Sequence, residues 1–293
     1  MTMIPTGGIK EIVHILPPKG SYYPFRLKVI EKALKKDPES PVLPFLAMVV
    51  EAQQVVFNTL ETTYKTHNFP KEEPFFIMDQ EMIQRFQTAI ITLTESLQAQ
   101  LTKSDIQHEE ISKVLEKLAT AMQDNATVLE SFQAILDLDV ETISAENRLF
   151  LLAAMQATLH FEAAHLEVEK TYLLKAKDLC PCCKMPAISS VLDNSEDGLR
   201  YLYCSFCETK WHVVRSQCTE CMSNKSLFQN KIEELGSPMS AEVCDECHTY
   251  LKFLDRTKTI YADPFIDDLL TLPLAIKLAE EDYKTYGLNP YFI

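Results

Sequence analysis

The sequence predicts a mainly α N-terminal helical domain, a small β-rich region made of tandem modules, and a C-terminal helix. Three observations lead to this fold class. Residues 21–197 contain no glycine and residues 75–180 no proline, so a long stretch rich in Leu, Ala, Glu and Gln lacks helix breakers. All nine cysteines lie within residues 180–247. The pair Asp263-Pro264 suits a helix start, because aspartate caps the first turn and proline fits its first position.

These changes in composition divide the chain into four segments. Cysteine chemistry begins sharply at the point where the helical composition ends. The last helix is expected to run from Asp263 to Gly287, with Gly287 as its C-cap and Pro273 kinking or dividing it. The predicted segments are an all-α helical domain at 1–178, a first cysteine module at 179–215, a second cysteine module at 216–258 and a C-terminal helical segment at 259–293.

Hydrophobic periodicity places individual helices within the first segment. Two are expected at residues 23–36 and about 44–64. A third, over 78–101, carries one apolar stripe at steps of three and four residues. The stripe consists of Met82, Phe86, Ile90, Leu93 and Leu97. Residues 104–107 resemble a capping box that opens another helix, and a long helix is expected after Ser144.

Composition narrows the possible functions of the 293 residues. The net charge of −14 repels phosphate backbones, and residues 180–256 carry eight Lys and Arg against eleven Asp and Glu, which opposes nucleic-acid binding. The six glycines are not spaced as GxGxxG or GxxxxGK, which disfavours the common nucleotide-binding enzymes. No catalytic set stands out, so no catalytic residue is assigned and an enzyme is not expected.

The start of the chain and its apolar runs bear on the compartment. The opening residues lack a basic region followed by an apolar stretch, and the apolar runs fall short of a membrane span. We therefore expect a cytoplasmic protein without membrane insertion, in which thiols stay reduced.

Eight cysteines form four Cys-x-x-Cys pairs, separated by twenty, ten and twenty-two residues. One such turn points two sulfurs at one spot, and a second turn roughly fifteen to twenty residues on completes a tetrahedral metal site. The long, short, long spacing therefore predicts two separate sites. Site 1 comprises Cys180, Cys183, Cys204 and Cys207, and site 2 comprises Cys218, Cys221, Cys244 and Cys247.

An internal repeat supports this grouping. Residues 204–211 align with residues 244–251, sharing a threonine and a following large apolar residue. Each half reads as a cysteine turn, a hairpin and a second cysteine turn, with hairpin turns expected at 193–198 and 236–238. The pattern is typical of a tandem of rubredoxin-like or zinc-ribbon modules.

Two bound metal ions are therefore expected, zinc in the first place, with iron as the alternative, since four thiolates suit both. An ion of this kind contributes on the order of 10–16 kcal/mol, enough to fold a small module. Disulfides would need an oxidising compartment, and a thioredoxin-type site needs one pair in a βαβ frame. A haem attachment at 244–248 would take the natural partner of Cys218 and Cys221. Cys182, inside the first turn, is expected to be a bystander.

Trp211 and Arg215 lie on the short connection between the modules. One interpretation packs Trp211 into the interface between them. The other makes the two residues an exposed pair that binds a partner chain, because aromatic and guanidinium groups dominate interaction hot spots.

The chain resembles the FdhE-type formate dehydrogenase accessory proteins. The resemblance rests on the first cysteine turn (180–183), on Gly198-Leu-Arg-Tyr-Leu-Tyr-Cys204, on Trp211-His-Val-Val-Arg215 and on Val243-Cys-Asp-Glu-Cys247. It extends to the ending, with Ala279-Glu-Glu-Asp-Tyr283 and Gly287-Leu-Asn-Pro290, and more weakly to Phe45-Leu-Ala-Met and Glu51-Ala-Gln-Gln54 upstream. One departure is the residue after each second cysteine, often glycine in such turns but here Lys184, Glu208, Met222 and His248.

The resemblance implies a cytoplasmic accessory factor with tandem rubredoxin-like modules and the eight paired cysteines as metal ligands. Its partner would be the catalytic subunit of a molybdenum- or tungsten-dependent formate dehydrogenase, whose activity requires it. Two alternatives stay open: a redox protein with two single-iron sites, and a zinc-ribbon nucleic-acid-binding protein.

Overall fold

The computed structural model describes residues 12–65, 67–104, 109–175, 178–192, 198–225, 227–230 and 238–292. Within these residues the N-terminal part of the chain is helical, which confirms the predicted fold class. Its helices are α1 (Tyr23–Lys36), α2 (Leu43–Thr63), α3 (Gln80–Leu101), α4 (Glu109–Ala121), α5 (Asn125–Leu136) and α6 (Ala145–Ala164), with a 3-10 turn at Val140–Thr142. The capping box expected at 104–107 and the turns expected at 193–198 and 236–238 lie at least partly outside the described residues.

Helix α6 is the centre of the helical part. Every residue from Phe150 to Ala163 is buried, because α2, α3, α4 and α5 pack around this helix. Helix α3 begins where the Asp79 carboxylate accepts hydrogen bonds from the backbone N–H groups of Glu81 and Met82, both at 3.1 Å. All five residues of its predicted apolar stripe are buried, so the periodicity located the inner face correctly.

The strands of the described residues form one mixed sheet. They are β1 (Ile15–Leu16), β2 (Ala187–Leu192), β3 (Arg200–Cys204), β4 (Lys210–His212), β5 (Leu227–Asn230), β6 (Met239–Cys244), β7 (Thr249–Asp255) and β8 (Lys284–Thr285). Their order is β1-β4-β3-β2-β7-β6-β5, and the short strand β8 pairs in parallel with the start of β7. Strands β2 and β7 are parallel neighbours, from Ser189 opposite Lys252 to Leu192 opposite Asp255. The two cysteine modules therefore share a sheet.

Strand β1 corrects the expectation of an all-α segment at 1–178. Ile15 and Leu16 pair with Trp211 and Lys210 of β4, so the N-terminal segment adds an edge strand to the sheet of the first module. The pairing is short and nonlocal, which explains why no alternating pattern announced it.

The C-terminal segment is divided near Pro273, as expected, but its second helix ends before Gly287. Asp263 caps α7 (Pro264–Leu270) as predicted, but Thr271 separates it from α8 (Leu272–Glu280), with Pro273 in the first turn of α8. The helix ends seven residues before Gly287. That glycine lies against β2, where a Cβ atom would stand 3.1 Å from the carbonyl oxygens of Ala187 and Ile188, so its role is close approach and not helix capping.

Among the described residues one helix, α2, is long and apolar enough to cross a membrane by length and composition. Its mean hydropathy over 18 residues is 1.3, higher than the short apolar runs of the sequence suggested. Ten of its residues, including Val49, Val50 and Val56, are buried against other helices of the protein. The apolar character of α2 is accounted for by the core of the helical part.

Candidate metal centres

Site 1 lies where the turn at residues 180–183 meets the β3–β4 turn. The sulfurs of Cys180 and Cys207 are 3.5 Å apart, and those of Cys183 and Cys204 are 3.4 Å apart. All four side chains are buried, with at most 2% of any of them exposed. The backbone N–H of Phe206 donates to the Cys204 sulfur at 3.4 Å.

Site 2 repeats this arrangement between the turn at residues 218–221 and the β6–β7 turn. The sulfurs of Cys218 and Cys247 are 3.7 Å apart, as are those of Cys221 and Cys244. In both sites the first cysteine faces the fourth and the second faces the third. Site 2 differs in exposure, because Cys221 is exposed and Cys247 is partly exposed.

Both groups fit a metal ion. Within each site the four sulfurs lie within 4.8 Å of one another. A tetrahedron with metal–sulfur bonds of about 2.3 Å has edges of about 3.8 Å, close to the observed separations. Burial raises the pKa of the Cys180, Cys183 and Cys204 thiols well above the ordinary value of 9, so these sulfurs would become thiolates only with a cation beside them. The two groups are able to hold one ion each.

The threonine shared by the internal repeat contacts the fourth cysteine of each site. Thr209 Oγ1 is 3.3 Å from the Cys207 sulfur, and Thr249 Oγ1 is 2.9 Å from the Cys247 sulfur. Hydrogen bonds to ligand atoms orient them and tune the bound metal. The repeat contained this signal, although the sequence alone did not indicate what the threonine does.

Cys182 lies beside site 1 but outside its group of four sulfurs. It is fully buried, and its sulfur accepts a hydrogen bond from Thr209 Oγ1 at 3.5 Å. Its carbonyl oxygen accepts from the N–H of Phe76, and the neighbouring Pro181 carbonyl accepts from Phe75. The α2–α3 connection therefore holds the backbone of the first cysteine turn.

A buried ionic network that the sequence did not reveal joins site 1 to the helices. Glu208, which directly follows the ligand candidate Cys207, is fully buried and has its carboxylate 3.0 Å from Arg26 Nη2 of α1 and 2.9 Å from His160 Nδ1 of α6. The Tyr203 hydroxyl donates to the same carboxylate at 2.8 Å. Burial raises the pKa of Glu208, but Arg26 and His160 outweigh burial and lower the pKa to about 2. Glu208 is therefore a carboxylate anchored to both helices.

The network continues into the C-terminal segment. Arg26 Nε lies 3.1 Å from both carboxylate oxygens of Asp263, and its Nη1 donates to the Tyr291 hydroxyl at 3.0 Å. Tyr291 in turn donates to Gln53 of α2 at 2.5 Å. One guanidinium thus links α1, the turn of site 1 and the helix start at Asp263.

Trp211 and Arg215 differ in their exposure to solvent. Trp211 lies on β4, between β1 and β3, and is fully buried, so the prediction of an exposed partner-binding pair is wrong for this residue. Its large apolar ring belongs to the hydrophobic core, so the packing interpretation is right about burial, but its strand partners are β1 and β3 and not the second module. Arg215, beyond the end of β4, is exposed.

The residue after each second cysteine adopts a left-handed backbone. Lys184, Glu208 and Met222 have φ of 61° and His248 has φ of 53°. This is the conformation for which glycine is favoured in such turns. The departure noted in the sequence is therefore accommodated without a change of turn geometry.

Comparisons with known proteins place the chain in one family. The family model described as FdhE, central domain, matches residues 179–215, and that described as FdhE, C-terminal domain, matches residues 216–292. A Protein FdhE homolog from Proteus mirabilis is 30% identical over 284 residues, which covers 94% of this chain and 90% of the relative. Protein FdhE from Escherichia coli is 27% identical over 288 residues, with 94% and 90% coverage.

A solved structure has the same fold. The crystal structure of the FdhE protein from Pseudomonas aeruginosa superposes with a TM-score of 0.70 at 24% sequence identity, covering 95% of this chain and 98% of the other. The identity with the Proteus mirabilis relative extends over nearly the whole length of both proteins. This chain therefore belongs to the FdhE family.

Proposed function

We propose that this chain is a cytoplasmic accessory factor that binds the catalytic subunit of a molybdenum- or tungsten-dependent formate dehydrogenase and is needed for its maturation or activity. The observation that carries this proposal is membership of the FdhE family, which is associated with formate dehydrogenase. The two four-cysteine sites support a role in binding, because four protein ligands leave no open position on an ion for a substrate.

In this proposal the eight paired cysteines hold two zinc ions. Zinc has no redox chemistry and accepts a tetrahedral set of four thiolates, which suits a structural role. The sheet strands around both sites are short, so each ion would stabilise a module with a small core of its own. Each site would then act as a rigid support for neighbouring surface residues.

The proposal is tested by association of the purified chain with the purified catalytic subunit. Size-exclusion chromatography and isothermal titration should detect a complex at micromolar concentrations, with tighter binding to a subunit prepared without its metal cofactor than to the finished enzyme. Absence of association at micromolar concentrations with both forms would refute the proposal.

Arg215 is the exposed residue of the predicted partner-binding pair, and we propose it as part of the contact surface. Arg215→Glu should weaken binding by about tenfold, the loss of one well-placed charged contact. Lys225→Glu provides the matched control, because Lys225 is also an exposed basic residue but lies in the second module. Equal effects of the two substitutions would remove Arg215 from the proposed surface.

A redox protein with two single-iron sites is the second candidate. It is favoured by the hydrogen bonds to sulfur from Phe206 N–H and the contact of Thr249 with Cys247, since such contacts tune the reduction potential of iron–thiolate sites. Metal analysis and a visible spectrum of protein prepared in reducing buffer decide between the candidates. Ferric iron bound by four thiolates is red, whereas two equivalents of zinc without colour would exclude the redox function.

A further inference from the structure

The two metal sites differ in access while sharing the same ligand pattern. In site 1 no cysteine is more than 2% exposed. In site 2 Cys221 is exposed and Cys247 is partly exposed, while Cys218 and Cys244 are buried. Site 2 is therefore open to another molecule at two of its four cysteines, whereas site 1 is not.

The two sites also differ in how extensively the rest of the protein packs around them. The turns of site 1 are held by Phe75, Phe76 and the Glu208 network, and its cysteines belong to the main core that includes the helices. The second module is divided between this core, to which its Met239, Leu251 and Leu254 belong, and a separate small cluster. This cluster consists of Ala241, Val243, Tyr250, Leu274 and Leu278. The site 1 cysteines lie in the main core and those of site 2 in neither cluster, so opening site 2 would disturb fewer core contacts than opening site 1.

Exchange of a thiolate-bound ion is easiest when an incoming ligand reaches the ion before the old ligand leaves. Zinc permits this route, because its coordination number can rise from four to five. A buried site blocks the incoming group, whereas a site with two accessible cysteines admits it. The turn at residues 218–221 also leads into a left-handed Met222 that is 47% exposed, so the exposed stretch continues past Cys221.

We propose that site 2 is a metal-transfer site, which passes its ion to an acceptor that presents four thiols, whereas site 1 retains its ion. The bonds from the ion to Cys221 and Cys247 would break first as two bonds to acceptor sulfurs form, and the bonds to Cys218 and Cys244 would then be replaced by two more. The ion keeps its oxidation state, and the four protons that leave the acceptor thiols are balanced by four taken up by the released cysteines. This inference rests on the proposed occupancy of both sites, and the experiment measures that occupancy first.

The experiment begins with the full chain, loaded with zinc and freed of excess metal. Metal analysis is expected to find two ions per chain. A chromogenic chelator is then added, and one equivalent should be released at least about tenfold faster than the other, the usual scale of the effect of outer contacts on metal binding. A count below two refutes the occupancy and the transfer together. Two ions released at one rate refute the transfer alone.

Thiol labelling identifies which site has released its ion. After one equivalent has left, N-ethylmaleimide should modify the peptides of Cys218, Cys221, Cys244 and Cys247, as read by mass spectrometry. Earlier labelling of the site 1 cysteines overturns the assignment. The variants Cys221→Ser and Cys183→Ser form a matched pair, each lacking the second cysteine of its site. Cys221→Ser should abolish the fast phase of metal release, while Cys183→Ser should preserve it. If Cys183→Ser does not fold, labelling of the wild-type chain decides which site releases its ion first.

A metal-free four-cysteine zinc-ribbon peptide serves as the acceptor probe. Under the proposal, the transfer rate rises with the concentration of the peptide, because the acceptor attacks an ion that is still bound. A rate that does not depend on peptide concentration means that zinc first dissociates into solution, and this result would overturn direct transfer.

Discussion

Arg26 gives the sharpest test of the network that joins the helices to site 1. Its guanidinium is fully buried, lies within 3.1 Å of the carboxylates of Glu208 and Asp263, and stacks 4.3 Å from the ring centre of Phe265. Arg26→Met keeps much of the side-chain length but leaves two buried carboxylates without their shared cation. Breaking a buried ion pair by removing one partner costs about 3–5 kcal/mol. We expect a loss of unfolding free energy in this range.

The assay is urea unfolding at neutral pH, followed by far-ultraviolet circular dichroism. Lys35→Met is the matched control, because Lys35 lies on the same helix in a solvent-exposed pair with Glu31, and its midpoint should not move. Adding Glu208→Gln to Arg26→Met should cost less than the sum of the two single substitutions, because both break one interaction. Equal midpoints for Arg26→Met and the control, or strict additivity with Glu208→Gln, would refute the account of the network.

Three further outcomes are expected. Trp211→Ala should destabilise the chain by about 3–5 kcal/mol in urea unfolding, the range for a buried large aromatic side chain. Substitution of the exposed Arg215 by alanine should change the unfolding free energy by no more than about 0.5 kcal/mol, and a reversed order would contradict the placement of Trp211 in the core. Burial raises the pKa of Asp267 to about 7, so the folded state disfavours its carboxylate. The contribution of Asp267 to stability is therefore highest below the unfolded pKa near 4 and falls as the pH rises. Between pH 5 and pH 8 the wild type should lose about 3 kcal/mol of unfolding free energy relative to Asp267→Asn, and paired urea titrations at the two pH values must show this loss. Met222→Gly should relieve the left-handed strain and favour the zinc-bound turn by about 0.5–1 kcal/mol, measured as tighter zinc binding at site 2, and unchanged or weaker affinity would show that no strain is present.

The sequence was most informative where structure is local. The four cysteine pairs indicated which sulfurs come together in two groups of four, because a Cys-x-x-Cys turn brings its sulfurs together within four residues and the spacing of the turns selects partners. The stripe of α3 was predicted for the same reason, since a helical period determines which side chains share a face. The Asp263-Pro264 helix start likewise depends only on adjacent residues.

The features that were missed depend on distant parts of the chain. Glu208 receives its partners from α1 and α6, and its sequence neighbours give no sign of Arg26 or His160. The burial of Trp211 depends on β1, two residues long and almost two hundred positions upstream. The parallel pairing of β2 with β7 also joins segments about sixty residues apart. Such contacts require the tertiary fold, and one sequence without its relatives contains no direct sign of them.

The four left-handed turn residues give each cysteine turn an attachment point that glycine would lack. Glu208 uses it to reach the helices, Lys184 places its ammonium 3.7 Å from Glu73, and His248 lies with its ring centre 5.7 Å from that of Tyr283. A side chain can be exchanged at such a position while the sulfurs stay in place, because the backbone geometry belongs to the turn. The contacts between a cysteine module and its neighbours can thus change without a change in the positions of its four sulfurs. Met222 is exposed to solvent, so it is the position where a new contact is easiest to engineer.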